Sequence, residues 1–384
     1  MTSLPQNSPD IEKWIALVRA DGVGPTTFAR LLKHFGSVDR ALGASVSQFC
    51  GIERIGDKTA REIAASIGRF DVEKELALAR KLGVWIIHAA DERYPKALRS
   101  IYDPPPVLYI KGTLERCDSL AVAIVGSRRC STYGSEQASR FAYTLAAAGF
   151  TVVSGMARGI DTAAHRGALS AGGRTIAVQG CGLGKIFPPE NDRLFQSISE
   201  DGACISELPL EYDARSENFP ARNRIIAGLC IGVIVVEATA RSGALLTAEA
   251  ALAYNREVLA VPGKIDSPLA KGTHNLIKQG ATLVDSIEDI MDALGSLGDR
   301  LKDHVGNVDK EVKKNIDMPL FDISQLNLSE SEKAVLGSLD SQPVGVEDVI
   351  MQTGLGAGAV NSALISLRLK GLIAQLPGSL FLRR

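Results

Sequence analysis

The segment VAIVGSRR at residues 122–129 decides the fold, because an apolar strand pattern runs directly into a loop of glycine, serine and arginine. Loops of similar composition recur in VVSGMARGID at 152–161, FPARNRIIAG at 219–228 and VVEATARSGALLTA at 235–248. A strand that turns into a helix through glycine points backbone N–H groups outward, where they bind anions, and arginine binds phosphate oxygens. Four such loops suit a repeating phosphate polymer, so the sequence points to nucleic acid.

Short apolar runs alternate with helical patterns between residues 118 and 294. Strands are predicted near 121–125, 151–154, 175–179, 203–206, 231–236, 258–261 and 282–284, and helices near 133–148, 161–171, 222–228, 244–254 and 273–279. Continuous apolar strands that alternate with helices predict an α/β fold with a parallel sheet covered on both faces. Ligands bind such sheets at the carboxyl ends of the strands, where the glycine loops lie.

Other units flank this region. Residues 1–83 read as helical, and GVGPTT at 22–27 and IERIGDKTAREI at 52–63 look like a helix-hairpin-helix pair, which could contact DNA phosphates or serve only as a packing module. Three consecutive prolines, Pro104 to Pro106, predict an extended connection ahead of the sheet.

The C-terminal part predicts a polar linker over 296–325 and a winged helix over 326–384. A capping box of Ser329 and Glu332 opens its first helix, and a β-hairpin is predicted around Pro377-Gly378. Its third helix carries only Arg368 and Lys370 as cations, and residues 326–384 hold five basic and five acidic residues. This balance favours a protein-interaction or weak DNA-binding role for the winged helix.

Composition limits the function classes. The formal net charge is −1, so any basic surface must be local. Six scattered cysteines predict reduced, mostly buried thiols of a cytoplasmic protein, and five unclustered histidines argue against a metal site. The first residues, MTSLPQNSPD, contain no signal-peptide pattern, and no apolar run approaches the roughly 20 residues of a membrane span.

One candidate phosphate pocket is formed by Gly126, Ser127 and Arg128, with a plain helix-capping turn as the alternative. Arg222, Asn223 and Arg224 are expected to open a helix, where the dipole disfavours cations unless an anion binds. The alternative is a structural role through salt bridges to Glu237 or Glu207.

Two further segments complete the candidate site. Lys185 and Phe187 suit phosphate neutralisation and base stacking, unless Phe187 belongs to the core. Ser242 is predicted to cap a helix, and Gly243 permits close approach of a ligand to the backbone.

Catalysis and cofactors are not expected. The first parallel strand lacks the GxGxxG fingerprint of dinucleotide-binding proteins, and no Walker A sequence is present. Ser154, Asp161 and His165 could be imagined as a hydrolase triad, but Asp161 stands where a helix N-cap belongs. We therefore predict no enzyme activity, no catalytic residue and no cofactor.

The glycine- and arginine-bearing segments described above, together with the proline-rich segment before them, follow one another between about residues 84 and 292. In this arrangement they resemble the DprA/Smf family of DNA-processing proteins. The resemblance implies an extended Rossmann-like domain over 84–295, preceded by a SAM-like or helix-hairpin-helix module. It also implies a homodimer that binds single-stranded DNA and loads the RecA recombinase during natural transformation. The family's DNA contacts match Arg128 and Lys185, and its motifs place further pocket positions at Ser127, Ser154, Gly155, Arg222, Asn223, Arg224, Ser242 and Gly243. Phe187 stands where the family commonly has tyrosine.

An enzyme class with a similar fold remains an alternative. Nucleotide phosphoribohydrolases carry the motif PGGxGTxxE in a comparable loop. In this chain, ARSGALLTAEA at 240–250 lacks the paired glycines, and Glu249 follows Thr247 by two residues rather than three.

Overall fold

The computed structural model describes residues 5–295, 328–339, 344–370, 372–376 and 380–383. The predicted linker at 296–325 and the turn at Pro377-Gly378 lie outside these residues. The division into domains at residues 83, 295 and 325 stays a prediction.

Six helices form the N-terminal part: α1 Ile11–Val18, α2 Pro25–Phe35, α3 Val38–Leu42, α4 Val46–Cys50, α5 Asp57–Ser66 and α6 Val72–Leu82. As expected from the two glycine turns, Gly24 immediately precedes α2 and Gly56 immediately precedes α5. The apolar faces of these helices share one core with a face of the large sheet, where Trp14 stacks on His88 with ring centroids 4.4 Å apart. The helical part is therefore attached to the sheet by a common core.

Nine strands form the central sheet: β1 Val84–His88, β2 Val107–Gly112, β3 Ala121–Val125, β4 Thr151–Ser154, β5 Thr175–Val178, β6 Ala203–Ser206, β7 Gly232–Val235, β8 Glu257–Ala260 and β9 Thr282–Leu283. Their order is β1-β2-β6-β5-β4-β3-β7-β8-β9. Strands β3 to β9 pair in parallel, which confirms the predicted sheet. Strands β1 and β2 add an antiparallel edge that the sequence analysis missed.

Helices cover both faces of this sheet: α7 Lys96–Arg99, α8 Thr132–Ala147, α9 Ile160–Ser170, α10 Asp192–Asp201, α11 Asn218–Leu229, α12 Gly243–Ala253, α13 Lys271–Lys278 and α14 over 287–295. Two cores of buried apolar side chains therefore lie on its opposite faces in the region of β3, β7 and β8. Helix α10 was not predicted from the sequence. The expectation that Arg222 opens a helix was also wrong, because α11 begins a full turn earlier, at Asn218.

The C-terminal unit is a winged helix, as predicted. It contains α15 Glu330–Gly337, α16 Val346–Thr353 and α17 Ala357–Leu369, together with a three-stranded sheet in the order β10-β12-β11. These strands are β10 Val344–Gly345, β11 Ile373–Leu376 and β12 Leu380–Arg383. The predicted capping box of Ser329 and Glu332 is confirmed.

All six cysteines are free; Cys181, Cys204 and Cys230 are buried, whereas Cys50 is exposed. Within the described ranges no single helix is long and apolar enough to cross a membrane. Only taken together do α16 and residues 357–368, which are bent by 112° relative to each other, have the length and apolar composition of a span.

Candidate nucleic-acid interface

The sheet topology brings the predicted loops to one edge. From β3 the chain runs outward through β4, β5 and β6 on one side, and through β7, β8 and β9 on the other. The point between β3 and β7, where the direction of this order reverses, is where open α/β sheets bind ligands. The segments that follow β3, β4, β5, β6 and β7 all begin at this carboxyl edge, so the candidate residues occupy a single region.

The loop after β3 is held rigidly. The Ser127 N–H donates to the carbonyl oxygen of Glu237 at 2.7 Å, and the Ser127 carbonyl accepts from the N–H of Ile160 at 3.2 Å. A Cβ on Gly126 would lie 2.7 Å from Cγ1 of Ile160, so only glycine fits between these neighbours. The loop therefore presents Arg128 at a fixed position, with its side chain exposed.

Arg128 rests on an aromatic pair. Its guanidinium carbon lies 4.7 Å from the ring centroid of Phe219, and Phe219 lies 5.7 Å from Phe187, with the two rings tilted by 46°. Phe219 packs on Gly180, where a Cβ would lie 2.9 Å from its ring. Both rings are half-buried. We call Arg128, Lys185, Phe187 and Phe219 the carboxyl-edge site.

Phe219 was missed among the candidate residues. It belongs to the FPARNR segment that the sequence analysis quoted, and an aromatic residue directly ahead of that arginine-bearing run was the available signal. Its importance depends on α11 starting at Asn218, which places Phe219 in the first turn of the helix.

Lys185 lies in the loop after β5. Its side chain is 51% exposed, and Nζ is 3.9 Å from Oδ1 of Asp213, whose side chain is 74% exposed. An exposed pair at this distance contributes little and exchanges readily with water or another anion. Lys185 is therefore available to a phosphate, although Asp213 reduces the local positive charge.

Arg222 is buried instead of projecting from a helix end. It is 5% exposed, and its Nη1 donates to the carbonyl oxygen of Val178 at 2.6 Å. Burial lowers the pKa of Arg222 to about 10. The guanidinium carbon lies 5.9 Å from the Phe219 ring centroid, so Arg222 supports that ring from inside the protein.

The two residues after Arg222 also bind protein groups. Asn223 donates to the carbonyl oxygen of Gly243 at 3.1 Å, which joins α11 to the start of α12. Arg224 forms an ion pair with Glu207 and lies 3.7 Å from a carboxylate oxygen of Asp103. Of the two carboxylates considered from sequence, Glu207 thus pairs with Arg224, whereas Glu237 binds the N–H and hydroxyl of Ser131 ahead of α8.

The residues after β4 form a buried polar network. The Ser154 hydroxyl, which is fully buried, donates to the carbonyl oxygen of Ile124 at 2.7 Å. The Asp161 carboxylate accepts from the N–H groups of Gly155 at 3.1 Å and Ala157 at 3.3 Å. Asp161 lies in the first turn of α9 and the N-cap is Gly159, so the N-cap expected at Asp161 was wrong by two positions.

The start of α12 follows the prediction more closely. Ser242 is its N-cap, with the side-chain oxygen accepting from the N–H of Ala244 at 3.4 Å. A Cβ on Gly243 would meet nothing within 4 Å, which leaves open space beside this backbone.

The cations near the carboxyl edge differ in whether a carboxylate of the protein pairs with them. Arg158 pairs with Glu190, Arg224 with Glu207 and Lys185 weakly with Asp213. Over the ranges that the structure describes, the exposed Arg128 and Arg129 have no carboxylate within ion-pair distance. The loop after β3 therefore carries two exposed cations without a carboxylate partner among the described residues.

The two cations expected on the third helix of the winged helix are both in ion pairs. Arg368 of α17 pairs with Asp292 of α14 at 2.8 Å, and Lys370 pairs with Glu332 at 2.5 Å, with both of the latter side chains nearly buried. Both cations of the third helix are thus committed to carboxylates of the same chain.

The fold and the site together define a Rossmann-like α/β protein that carries an N-terminal helical module, a C-terminal winged helix and exposed cations at the carboxyl edge of its sheet. Residues 85–295 match the family described as DNA recombination-mediator protein A, 324–379 match the DprA winged helix domain, and 10–45 match the DprA-like N-terminal HHH domain. The chain belongs to this DprA/Smf family, which confirms the resemblance read from the sequence.

Individual relatives agree with this assignment. Protein Smf of Synechocystis is 34% identical over 97% of this chain and 98% of its own length. Protein Smf of Escherichia coli is 36% identical over 96% of this chain and 95% of its own length. The X-ray structure of DNA processing protein A from Streptococcus pneumoniae superposes with a TM-score of 0.65 at 37% identity, covering 75% of this chain and 98% of that one.

Proposed function

We propose that this protein binds single-stranded DNA at the carboxyl-edge site, with little dependence on base sequence. The observation that carries the proposal is the exposed guanidinium of Arg128, which lies on the Phe219 ring at the switch point of the sheet. A cation without a carboxylate partner in the described residues is free to bind a phosphate oxygen. Lys185 supplies a second charge one loop away.

The aromatic pair favours a single strand over a duplex. Phe187 and Phe219 are half-buried and expose part of their rings beside the two cations. Unpaired bases can stack on such rings whatever their sequence, whereas the bases of a duplex are already stacked on one another. Phosphate contacts carry no sequence information, so the site favours general binding.

Fluorescence anisotropy on labelled oligonucleotides tests this proposal. We expect the single strand to bind more tightly than a duplex of equal length, with affinities of different single-stranded sequences close to one another. Affinity should fall with salt, by about 0.7 in log affinity per unit log salt for each phosphate neutralised. Tighter binding of the duplex would contradict the proposal.

The wider role proposed here rests on the family. Relatives from Streptococcus pneumoniae and Bacillus subtilis are named DNA processing protein DprA. We propose that this protein is a cytoplasmic homodimer that loads the RecA recombinase onto single strands in natural transformation. The mass in solution tests the dimer. RecA filament growth on DNA coated with single-strand-binding protein, with and without this protein, tests the loading.

We propose that the carboxyl edge has no catalytic role. The hydroxyl of Ser154 donates to Ile124, the carboxylate of Asp161 binds backbone N–H groups, and Nδ1 of His165 is 2.7 Å from the hydroxyl of Thr175. These three groups are each engaged in separate structural bonds. An AMP hydrolysis assay tests the phosphoribohydrolase alternative, and turnover that depends on Glu249 would support it instead.

A further inference from the structure

A groove lies between α8 and α9, beside the carboxyl-edge site. It has a volume of about 300 Å³ and is lined by Ser135, Ser139, Gly159, Thr162, Ala163 and Arg166. None of these residues belongs to the carboxyl-edge site. The groove is formed by the first two turns of each helix, on the side of the sheet covered by α8 and α9.

The packing of the two helices explains where the groove opens. A Cβ on Gly167 would overlap the carbonyl oxygen of Ser139, so the helix backbones touch at that level. The groove residues Ser135 and Thr162 lie nearer the helix starts. There Gly159, with φ 74°, packs so closely against Ser127 that a Cβ would overlap the Ser127 carbonyl oxygen. One end of the groove therefore adjoins the loop that presents Arg128.

The groove lining suits a phosphate. Ser135 and Ser139 contribute hydroxyl groups, and the side chain of Arg166 is exposed, with no carboxylate within ion-pair distance among the described residues. Hydroxyl and guanidinium donors are the side-chain groups that bind nucleic-acid phosphates. The nearby acid on α9, Asp161, is 5% exposed and turns inward to the N–H groups of Gly155 and Ala157.

We propose that this groove is a second phosphate subsite, which receives the backbone of single-stranded DNA where the strand leaves Arg128. The proposal rests on the proposed function and extends it: the bound strand runs from the loop after β3 along the groove between α8 and α9. The ligand is a phosphodiester backbone, because the lining offers donors for phosphate oxygens and no aromatic ring for a base. A short strand fills the carboxyl-edge site alone, and only a longer strand reaches Arg166.

Binding of oligothymidylates of graded length tests the subsite. Lengths from about 4 to about 16 nucleotides span the site sizes of compact single-strand-binding domains. For the longest strand, Arg166→Ala should flatten the slope of log affinity against log salt by about 0.7, the contribution of one phosphate. For the shortest strand the same variant should match the parent protein. Ser135→Asp, which places a negative charge in the groove, should weaken binding of the longest strand more than Arg166→Ala does.

Two reference variants make the result interpretable. Lys278→Ala removes an exposed cation at the end of α13, at the opposite edge of the sheet, and should match the parent at every length. Arg128→Ala should weaken binding at every length. If Arg166→Ala and Ser135→Asp bind the longest strand like the parent, the groove proposal is wrong, whereas the effect of Arg128→Ala separately decides the proposed function. An equal loss of affinity for the shortest strand would also overturn the second subsite, because Arg166 would then contact DNA bound at the carboxyl-edge site.

Discussion

The guanidinium of Arg222 lies directly over Gly155, so closely that a Cβ on Gly155 would overlap Nη1 of Arg222. The same Nη1 donates to the carbonyl oxygen of Val178 at the end of β5. The absence of a side chain at Gly155 thus creates the space through which Arg222 reaches β5 and supports Phe219. Gly155 and Arg222 were both expected as phosphate contacts, and in the structure they act on each other.

This relationship predicts strong coupling between the two residues. Gly155→Ala should destabilise the protein by about 1–3 kcal/mol, the usual cost of overpacking a buried site. Once Arg222→Ala removes the clash, adding Gly155→Ala should cost much less, so the two effects will not add. Denaturant unfolding of the two single variants and the double variant measures this.

Gly243→Ala is the matched control for that cycle. A Cβ at Gly243 meets nothing within 4 Å, and the residue is the first of α12, where alanine favours the helix. We expect unchanged or slightly increased stability. Additive effects of Gly155→Ala and Arg222→Ala would show that the overlap relaxes by other movements.

The parallel sheet and its loops could be predicted from the sequence because both depend on local residue patterns. Edge strands and side-chain directions could not. Apolar runs bounded by glycine located β3, β4 and β6 at their observed limits. It missed β1 and β2, because a strand that pairs antiparallel at an edge carries no repeating βα signal. The direction of a long side chain is not encoded locally either: Arg128 is exposed and Arg222 is buried, although both belong to arginine-bearing segments of similar composition. Burial of Arg222 follows from the glycine at residue 155 and the carbonyl of Val178, which only the fold brings together.

The two cations of the carboxyl-edge site should differ in their contributions. Arg128→Ala should flatten the salt dependence of single-strand binding by about 0.7. Lys185→Ala should flatten it by less, because Asp213 lies 3.9 Å from Nζ and already offsets part of that charge. Asp213→Asn should tighten binding. Titrations at graded salt check all three variants.

Thermal unfolding provides the control for these substitutions. Exposed loop changes usually alter stability by no more than about 0.5 kcal/mol, so melting temperatures should stay near that of the parent. If Arg128→Ala unfolds the protein, the residue is structural. If the protein stays folded with parental affinity and salt slope, the assignment of Arg128 to a phosphate is wrong.

Phe219→Leu should separate stacking from charge. Leucine keeps an apolar group on Gly180 but removes the aromatic ring that contacts Arg128 and on which we propose that bases stack. We expect an affinity loss of about 1–3 kcal/mol, the value of one base stack, with the salt slope nearly unchanged. Isothermal titration at two salt concentrations measures both quantities. A flatter slope, with an affinity loss that is large at low salt and shrinks at high salt, would indicate that Phe219 only positions Arg128.

Removal of residues 326–384 should leave single-strand affinity nearly intact. Arg368 and Lys370, the cations at the end of α17, are paired with Asp292 and Glu332 and are not free to bind phosphates. The carboxyl-edge site contains no residue from this region. A large loss of affinity in a folded truncated protein would place part of the binding site on the winged helix.

His165 makes stability depend on pH. It is fully buried in α9, and burial together with the Arg222 cation lowers its pKa from 6.5 to about 3. The Thr175 hydroxyl donates to the carbonyl of Val152, so Nδ1 of His165 donates to Thr175 and Nε2 has no partner in the described residues. The folded protein therefore holds a neutral imidazole.

The sign of the pH effect follows from this lowered pKa. Between pH 6.5 and about 3 the unfolded chain binds a proton at this histidine and the folded protein does not. Acidification in that window therefore favours unfolding, by about 1.4 kcal/mol per pH unit below 6.5, which gives roughly 2 kcal/mol at pH 5 relative to pH 7. Asp161, whose pKa burial raises, acts in the opposite direction, with stability lost as the pH rises.

A comparison with His165→Gln isolates the contribution of the histidine. Glutamine can donate to the Thr175 hydroxyl but binds no proton in this range, while Asp161 is retained in both proteins and cancels in the difference. The free energy of unfolding, measured by denaturant titration at pH 5, 6 and 7, should fall more steeply with acid for the parent than for the variant. The two curves should approach each other by roughly 2 kcal/mol between pH 7 and pH 5. Parallel curves would mean that His165 takes up a proton in the folded protein, and the buried network after β4 would then have to accommodate a second cation beside Arg222.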